Sequence, residues 1–143
     1  MWSALLFTLP TQPSAVRLRM WRALRSLGCA PLRDGVHLLP IAQAALFHPL
    51  VAEIRQHGGQ ASVLDMSTTD ATQRAEVLAL FDRTEAYGQW RQEAQALAAT
   101  LPTLDETEAR RRWRHLCDVL QTLQRIDYYP GAAADQAQAE LDT

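Results

Sequence analysis

A chain of 143 residues with a net charge of −2, 48% hydrophobic and 21% charged, has the balance of a folded globular protein and not of a disordered one. It is long enough for one ordinary domain whose core needs no metal or disulfide staple, and no apolar run approaches the ~20 residues that span a bilayer. Cys29 and Cys117 are isolated, without CxxC spacing, which fits a reducing cytoplasm and leaves a single disulfide as the alternative.

The segment from Trp2 to Leu9 is nearly all apolar and predicts a strand buried on both faces. No positive charge precedes it, and Pro10 and Pro13 follow it closely, so a signal peptide is not expected. Pro13 stands where a helix would start. Val16, Met20, Leu24 and Leu27 then mark an apolar stripe over 13–27 that Gly28 ends. The short segment 30–33 contains Pro31, which an edge strand tolerates and a central one does not. Asp34-Gly35 is a hairpin-turn signal. Val36 to Pro40 returns as a central strand.

Ile41 to His57 predicts a helix whose body begins near Pro49, carries Leu50 and Ile54 and stops at Gly58-Gly59. Residues 60–65 form the other edge strand. Beyond Asp65 the pattern is helical. Thr69 or Asp70 can cap a helix bearing Val77, Leu80 and Phe81. Ala94, Leu97 and Leu101 continue the pattern past a break or kink at Gly88, until Pro102. Ala109, Trp113, Leu116, Leu120 and Leu123 then define a seam on a helix over 105–126, with Trp113 expected at its buried centre. Tyr128-Tyr129 before Pro130-Gly131 is expected to seal that helix against the core. Ala132 to Leu141 is a short last helix, expected to fray.

These elements predict an α+β fold: a ferredoxin-like βαββαβ antiparallel sheet, followed by an appended C-terminal helical bundle. The first and third strands would be central, the second and fourth at the edges. Residues 1–66 would form the α/β part and 67–143 a helical extension packed on it, making a single compact domain.

Charge is divided unevenly. Residues 1–66 carry six arginines against Asp34, Glu53 and Asp65, a net +3, while residues 67–143 carry eight arginines against thirteen acids, a net −5. The first part is therefore the expected face for an anionic partner. Every cation is Arg; there is no Lys. Arg is the better fork for phosphates and oxyanions, although a genome with biased codons produces the same usage. Arg19, Arg22 and Arg25 recur every three residues on the first helix, and Arg17 and Trp21 lie one turn apart beside the core stripe. These four arginines are the candidate DNA- or oxyanion-binding residues. The competing reading is a solvated helix face with Trp21 packed on the sheet. In the cluster Arg110-Arg111-Arg112-Trp113-Arg114, Glu106 and Glu108 are placed to pair with Arg110, Arg111 and Arg112, which argues for a salt-laced surface. His37, His48, His57 and His115 have no paired-ligand spacing, so no metal is expected, and no phosphate loop or nucleophile motif occurs.

Leu9-Pro10, Arg19-Met20-Trp21-Arg22-Ala23-Leu24, Gly28, Asp34-Gly35-Val36, Leu38-Leu39-Pro40 and Gly58-Gly59, in that order, resemble the N-terminal domain of ChrB-type chromate-resistance regulators. Asp127-Tyr128-Tyr129-Pro130-Gly131 with its Ala-rich continuation is similar to the end of the same domain. The resemblance implies a cytoplasmic, non-enzymatic, chromate-responsive regulator of a chromate-efflux operon, with promoter DNA as target and chromate or a related oxyanion as effector. It implies no cofactor and no membrane. Family members usually continue into a second domain, so sensing by this chain alone is in question. The sheet also resembles those of phenylacetate-pathway repressors and small CRISPR-associated nucleases. The nucleases need an Asp at the end of the first strand, where this chain has Phe7-Thr8-Leu9-Pro10, so nuclease activity is not expected.

A second reading is a protein-interaction or dimerisation module whose acidic helices contact a partner or form a homodimer. A third is an oxyanion reductase using Cys29 or Cys117, neither of which has a sequence neighbour that would lower its pKa.

Overall fold

A computed structural model describes residues 1–12 and 14–142; the placement of Pro13 near the start of the first helix lies outside the described residues. The elements run β1 (Trp2–Thr8), α1 (Ser14–Ser26), β2 (Ala30–Arg33), β3 (Val36–Pro40), a 3-10 stretch (Ile41–Phe47), α2 (His48–Gln56) and β4 (Gln60–Met66). Then come α3 (Ala71–Leu80), α4 (Thr84–Thr100), a 3-10 turn (Leu101–Thr103), α5 (Glu106–Ile126) and α6 (Ala132–Asp142). The helix expected near Pro49 is α2, and the residues leading into it wind as the 3-10 stretch. Two compact units result, Met1–Phe81 and Asp82–Thr143.

In the first unit the four strands form one antiparallel sheet in the order β2-β3-β1-β4. β1 and β3 are central and β2 and β4 are edges, as the apolar content of β1 and the proline in β2 predicted. The turn Asp34-Gly35 joins β2 to β3, and Gly35 adopts φ +75. A Cβ there would stand 2.5 Å from the Phe7 carbonyl oxygen, and the Phe7 amide donates to the Gly35 carbonyl at 2.8 Å. Only glycine fits so close a crossing of the turn against β1. At the end of α2, a Cβ on Gly59 would meet the Thr8 carbonyl oxygen at 2.3 Å.

In this unit Val16, Met20 and Leu24 of α1, Leu50 and Ile54 of α2, and Leu5, Leu38 and Leu39 of the sheet are all buried, with Phe47 fully enclosed. Each such side chain contributes about 1.5–3 kcal/mol by leaving water. β1 was expected to be buried on both faces along its length. Only Trp2 to Leu5 are; Leu6 and Thr8 are exposed because cover ends before the strand does. α3 lies against β2 and contributes buried Val77, and Phe81 just after it is also buried. Its cap is Asp70, whose carboxylate accepts from the Gln73 amide at 2.8 Å while the Gln73 side chain accepts from the Thr69 amide.

The second unit is helical. Tyr87, Trp90, Ala94 and Leu97 of α4 form its core with Leu116 and Leu120 of α5 and Ala137 of α6. Asp105 caps α5 by accepting from the Glu108 amide at 2.7 Å. Three sequence expectations need correction here. α4 runs unbroken through Gly88, because Tyr87 and Trp90 on either side are anchored in the core, and the chain turns at Asp82-Arg83 instead. Trp113 is 40% exposed, not buried. It lies on the flank of the stripe, in the first half of α5, where no residue before Leu116 is buried. Tyr129 is exposed as well, while Tyr128 is half-buried and the Tyr87 hydroxyl donates to Asp127 at the same end.

Candidate functional site

α1 carries the sequence-predicted arginines, and the structure sorts them into two groups. Arg17, Trp21 and Arg25 follow one another at single-turn spacing beside the buried Met20 and Leu24. The Arg25 guanidinium lies 4.8 Å from the centroid of the Trp21 ring, a cation–π contact. Trp21 is 51% exposed, half in solvent rather than enclosed against the sheet, with Arg25 stacked over its ring. Arg22 is exposed next to this stripe, and its carbonyl accepts from the Ser26 hydroxyl.

Arg19 points elsewhere. Its Nε donates to Glu53 Oε1 of α2 at 2.6 Å, and its second guanidinium nitrogen donates to His57 Nε2 at 3.1 Å. The spacing of three that joined Arg19 to Arg22 and Arg25 in the sequence therefore does not describe one surface. Arg19 braces α1 to α2, while Arg25 lies over Trp21 and Arg17 stands one turn before it.

Under this stripe opens a cavity of about 670 Å³, lined by Arg17, Trp21, Arg33, Asp34, His37 and Phe7 among others. Arg33 and His37 flank the hairpin turn and meet α1 only through the fold, which is why local sequence patterns did not single them out. The His37 ring stacks on Phe7 with centroids 5.6 Å apart. Burial holds its pKa below the usual histidine value, so at neutral pH it is an uncharged donor–acceptor. The cavity thus has two guanidinium groups, one carboxylate and a neutral imidazole on an apolar floor, a lining suited to an anionic group with a flat or apolar portion.

The second basic cluster behaves as the charge pattern predicted. Glu106 pairs with Arg110, and Glu108 pairs with both Arg111 and Arg112. The hydrogen bonds from Arg111 and Arg112 hold the Glu108 carboxyl down at about 2. Arg114 and exposed Trp113 stand beside these pairs. No disulfide joins Cys29 and Cys117. Burial and the neighbouring Asp118 push the Cys117 thiol up, which disfavours a thiolate. Among the described residues no three His, Cys, Asp or Glu side chains gather as a metal site, and no helix is long and apolar enough to cross a membrane.

The chain is 33% identical over 142 residues to "Protein ChrB" of Cupriavidus metallidurans, a match that takes in 98% of this chain and 43% of that protein. The likeness to ChrB-type proteins that the sequence suggested is borne out, and the chain spans less than half the length of that relative. No family model and no solved structure matches.

Proposed function

We propose that this protein is a non-enzymatic regulator in chromate resistance that acts by binding DNA through the Trp21-centred arginine surface of α1. The relationship to ChrB along nearly the whole chain supports the process. The observation that carries the binding mode is Arg25 stacked over a half-exposed Trp21, with Arg17 and the exposed Arg22 on the same helix, on the part of the chain with net positive charge. Guanidinium groups of this kind hold phosphate oxygens, and the cavity beneath them is the candidate seat for chromate or a related oxyanion. We read the βαββαβ order, with β1 and β3 central, as a ferredoxin-like scaffold presenting α1, in the cytoplasm and without a cofactor. The raised thiol of Cys117 speaks against reductase chemistry. A second reading, a protein-interaction module, is favoured by the exposed Trp113 on α5.

Titration of the protein onto its own upstream DNA at several salt concentrations tests the proposal. Three arginines engaged per copy give a drop of roughly three log units in affinity per decade of salt. The double substitution Arg22→Ala with Arg25→Ala should weaken binding and flatten that slope, and the melting temperature should stay within a few degrees. Salt-independent binding would remove the phosphate mechanism. Absence of binding at low salt, with and without chromate, would favour the interaction module, and multiple-turnover loss of chromate would favour an enzyme.

A further inference from the structure

The two edges of the sheet are built differently. β2 is four residues long, contains Pro31 and has an irregular register between Pro31 and Arg33, and α3 lies against it. These are the devices by which proteins blunt an edge. β4 is seven residues long, contains no proline and pairs residue for residue with β1. Ser62, Val63, Leu64 and Asp65 are all exposed, Val63 at 36% and Leu64 at 51%.

The direction of the backbone groups on β4 follows from one bond. The Phe7 amide donates to Gly35, on the β3 side. Residues 3, 5 and 7 of β1 therefore bond toward β3, and residues 2, 4, 6 and 8 bond toward β4. Leu5 is opposite Val63, Phe7 opposite Ala61 and Ser3 opposite Asp65. These are the non-hydrogen-bonded pairs, so Ala61, Val63 and Asp65 aim their N–H and C=O groups away from the sheet. The Ala61 carbonyl confirms the parity: it accepts a hydrogen bond from the Arg55 guanidinium of α2 at 3.0 Å.

The geometry points to β4 as a self-pairing edge, joining two copies of this chain antiparallel about a two-fold axis at Val63. This register sets Val63 against Val63 and Ala61 against Asp65 of the second copy, so outward-facing residues meet outward-facing residues along the whole edge. Moving the axis by half a residue sets outward groups against inward ones and loses the bonds. The same register matches charge. Asp65 has no hydrogen bond or ion pair from its side chain among the described residues. Pairing brings it opposite Ala61 of the second copy, whose carbonyl holds Arg55. Each copy thus offers a carboxylate to the other's guanidinium, twice by symmetry, while Val63 and Leu64 leave water.

This proposal does not depend on DNA binding. Its test uses the full chain, with mass measured by light scattering across the micromolar range and folding followed by circular dichroism. Wild-type protein should dimerise. Arg55→Glu sets like charges together at Asp65, and Asp65→Arg does so at Arg55, so each variant alone should dimerise about tenfold or more weakly. Mixed in equal amounts, with one variant carrying a size tag, the two should form a heterodimer of near wild-type affinity. That rescue cannot come from misfolded chains. A monomeric wild type, variants that each dimerise as wild type does, or a mixture that stays monomeric would overturn the proposal.

Discussion

The Tyr87 hydroxyl donates to Asp127 Oδ2 at 2.7 Å, tying the first turn of α4 to the residue that ends α5. Burial, and then the bond to Asp127, push the Tyr87 phenol well above its ordinary pKa, so the proton stays on the tyrosine throughout the physiological range. Tyr87→Phe keeps the ring in the core and removes only the donor. We expect a loss of about 1–2 kcal/mol, read from urea unfolding. A change below about 0.3 kcal/mol would mean that water serves Asp127 equally well.

Trp113 and Trp90 give a contrast within one helical unit. Trp90 is buried and its indole N–H donates to the Leu116 carbonyl at 2.9 Å, whereas Trp113 is largely open. Trp90→Ala should cost about 3–5 kcal/mol. Trp113→Ala should cost about 1 kcal/mol or less, by the general mildness of surface changes. Equal losses in chemical denaturation would show that α5 has cover over its first half.

Gly88 is exposed inside α4, and an added Cβ meets nothing within 4 Å. Gly88→Ala removes backbone freedom from the unfolded chain and should stabilise by about 0.5–1 kcal/mol. A lower melting temperature would show that α4 needs flexibility at this point.

His37 supplies a pH dependence. Its folded pKa lies below the usual 6.5 because burial disfavours the charged ring. The unfolded state therefore binds the proton more readily, so this contribution to stability is complete above the unfolded value and is lost as pH falls through the folded one. NMR titration should find the His37 ring titrating on the acid side of the usual histidine value. His37→Gln should flatten the fall in melting temperature below pH 6.5. A His37 midpoint at or above the usual value would remove the effect.

Local chemistry was legible in the sequence. Pro31, the Asp34-Gly35 turn and the cap Asp70 act within a few residues of themselves, and the apolar runs of β1 and β3 marked them as central. What failed depends on cover supplied from elsewhere. The apolar spacing of α5 continues back to Trp113, but burial begins only at Leu116. Gly88 reads as a breaker, yet the core anchors Tyr87 and Trp90 hold the helix across it. The arginine repeat on α1 looked like one stripe until Glu53 and His57 of a distant segment claimed Arg19. Arg33 and His37 joined the candidate site only because the hairpin folds back under α1.

The four tryptophans give each unit its own optical gauge. Met1–Phe81 holds an enclosed Trp2 and an open Trp21, and Asp82–Thr143 holds an enclosed Trp90 and an open Trp113. Iodide should quench only the open member of each pair in the native protein, and unfolding should shift the emission of only the enclosed members strongly to the red. With Trp21 and Trp113 replaced by phenylalanine, and then Trp2 or Trp90 in turn, the loss of structure in either unit can be followed by fluorescence in the intact chain.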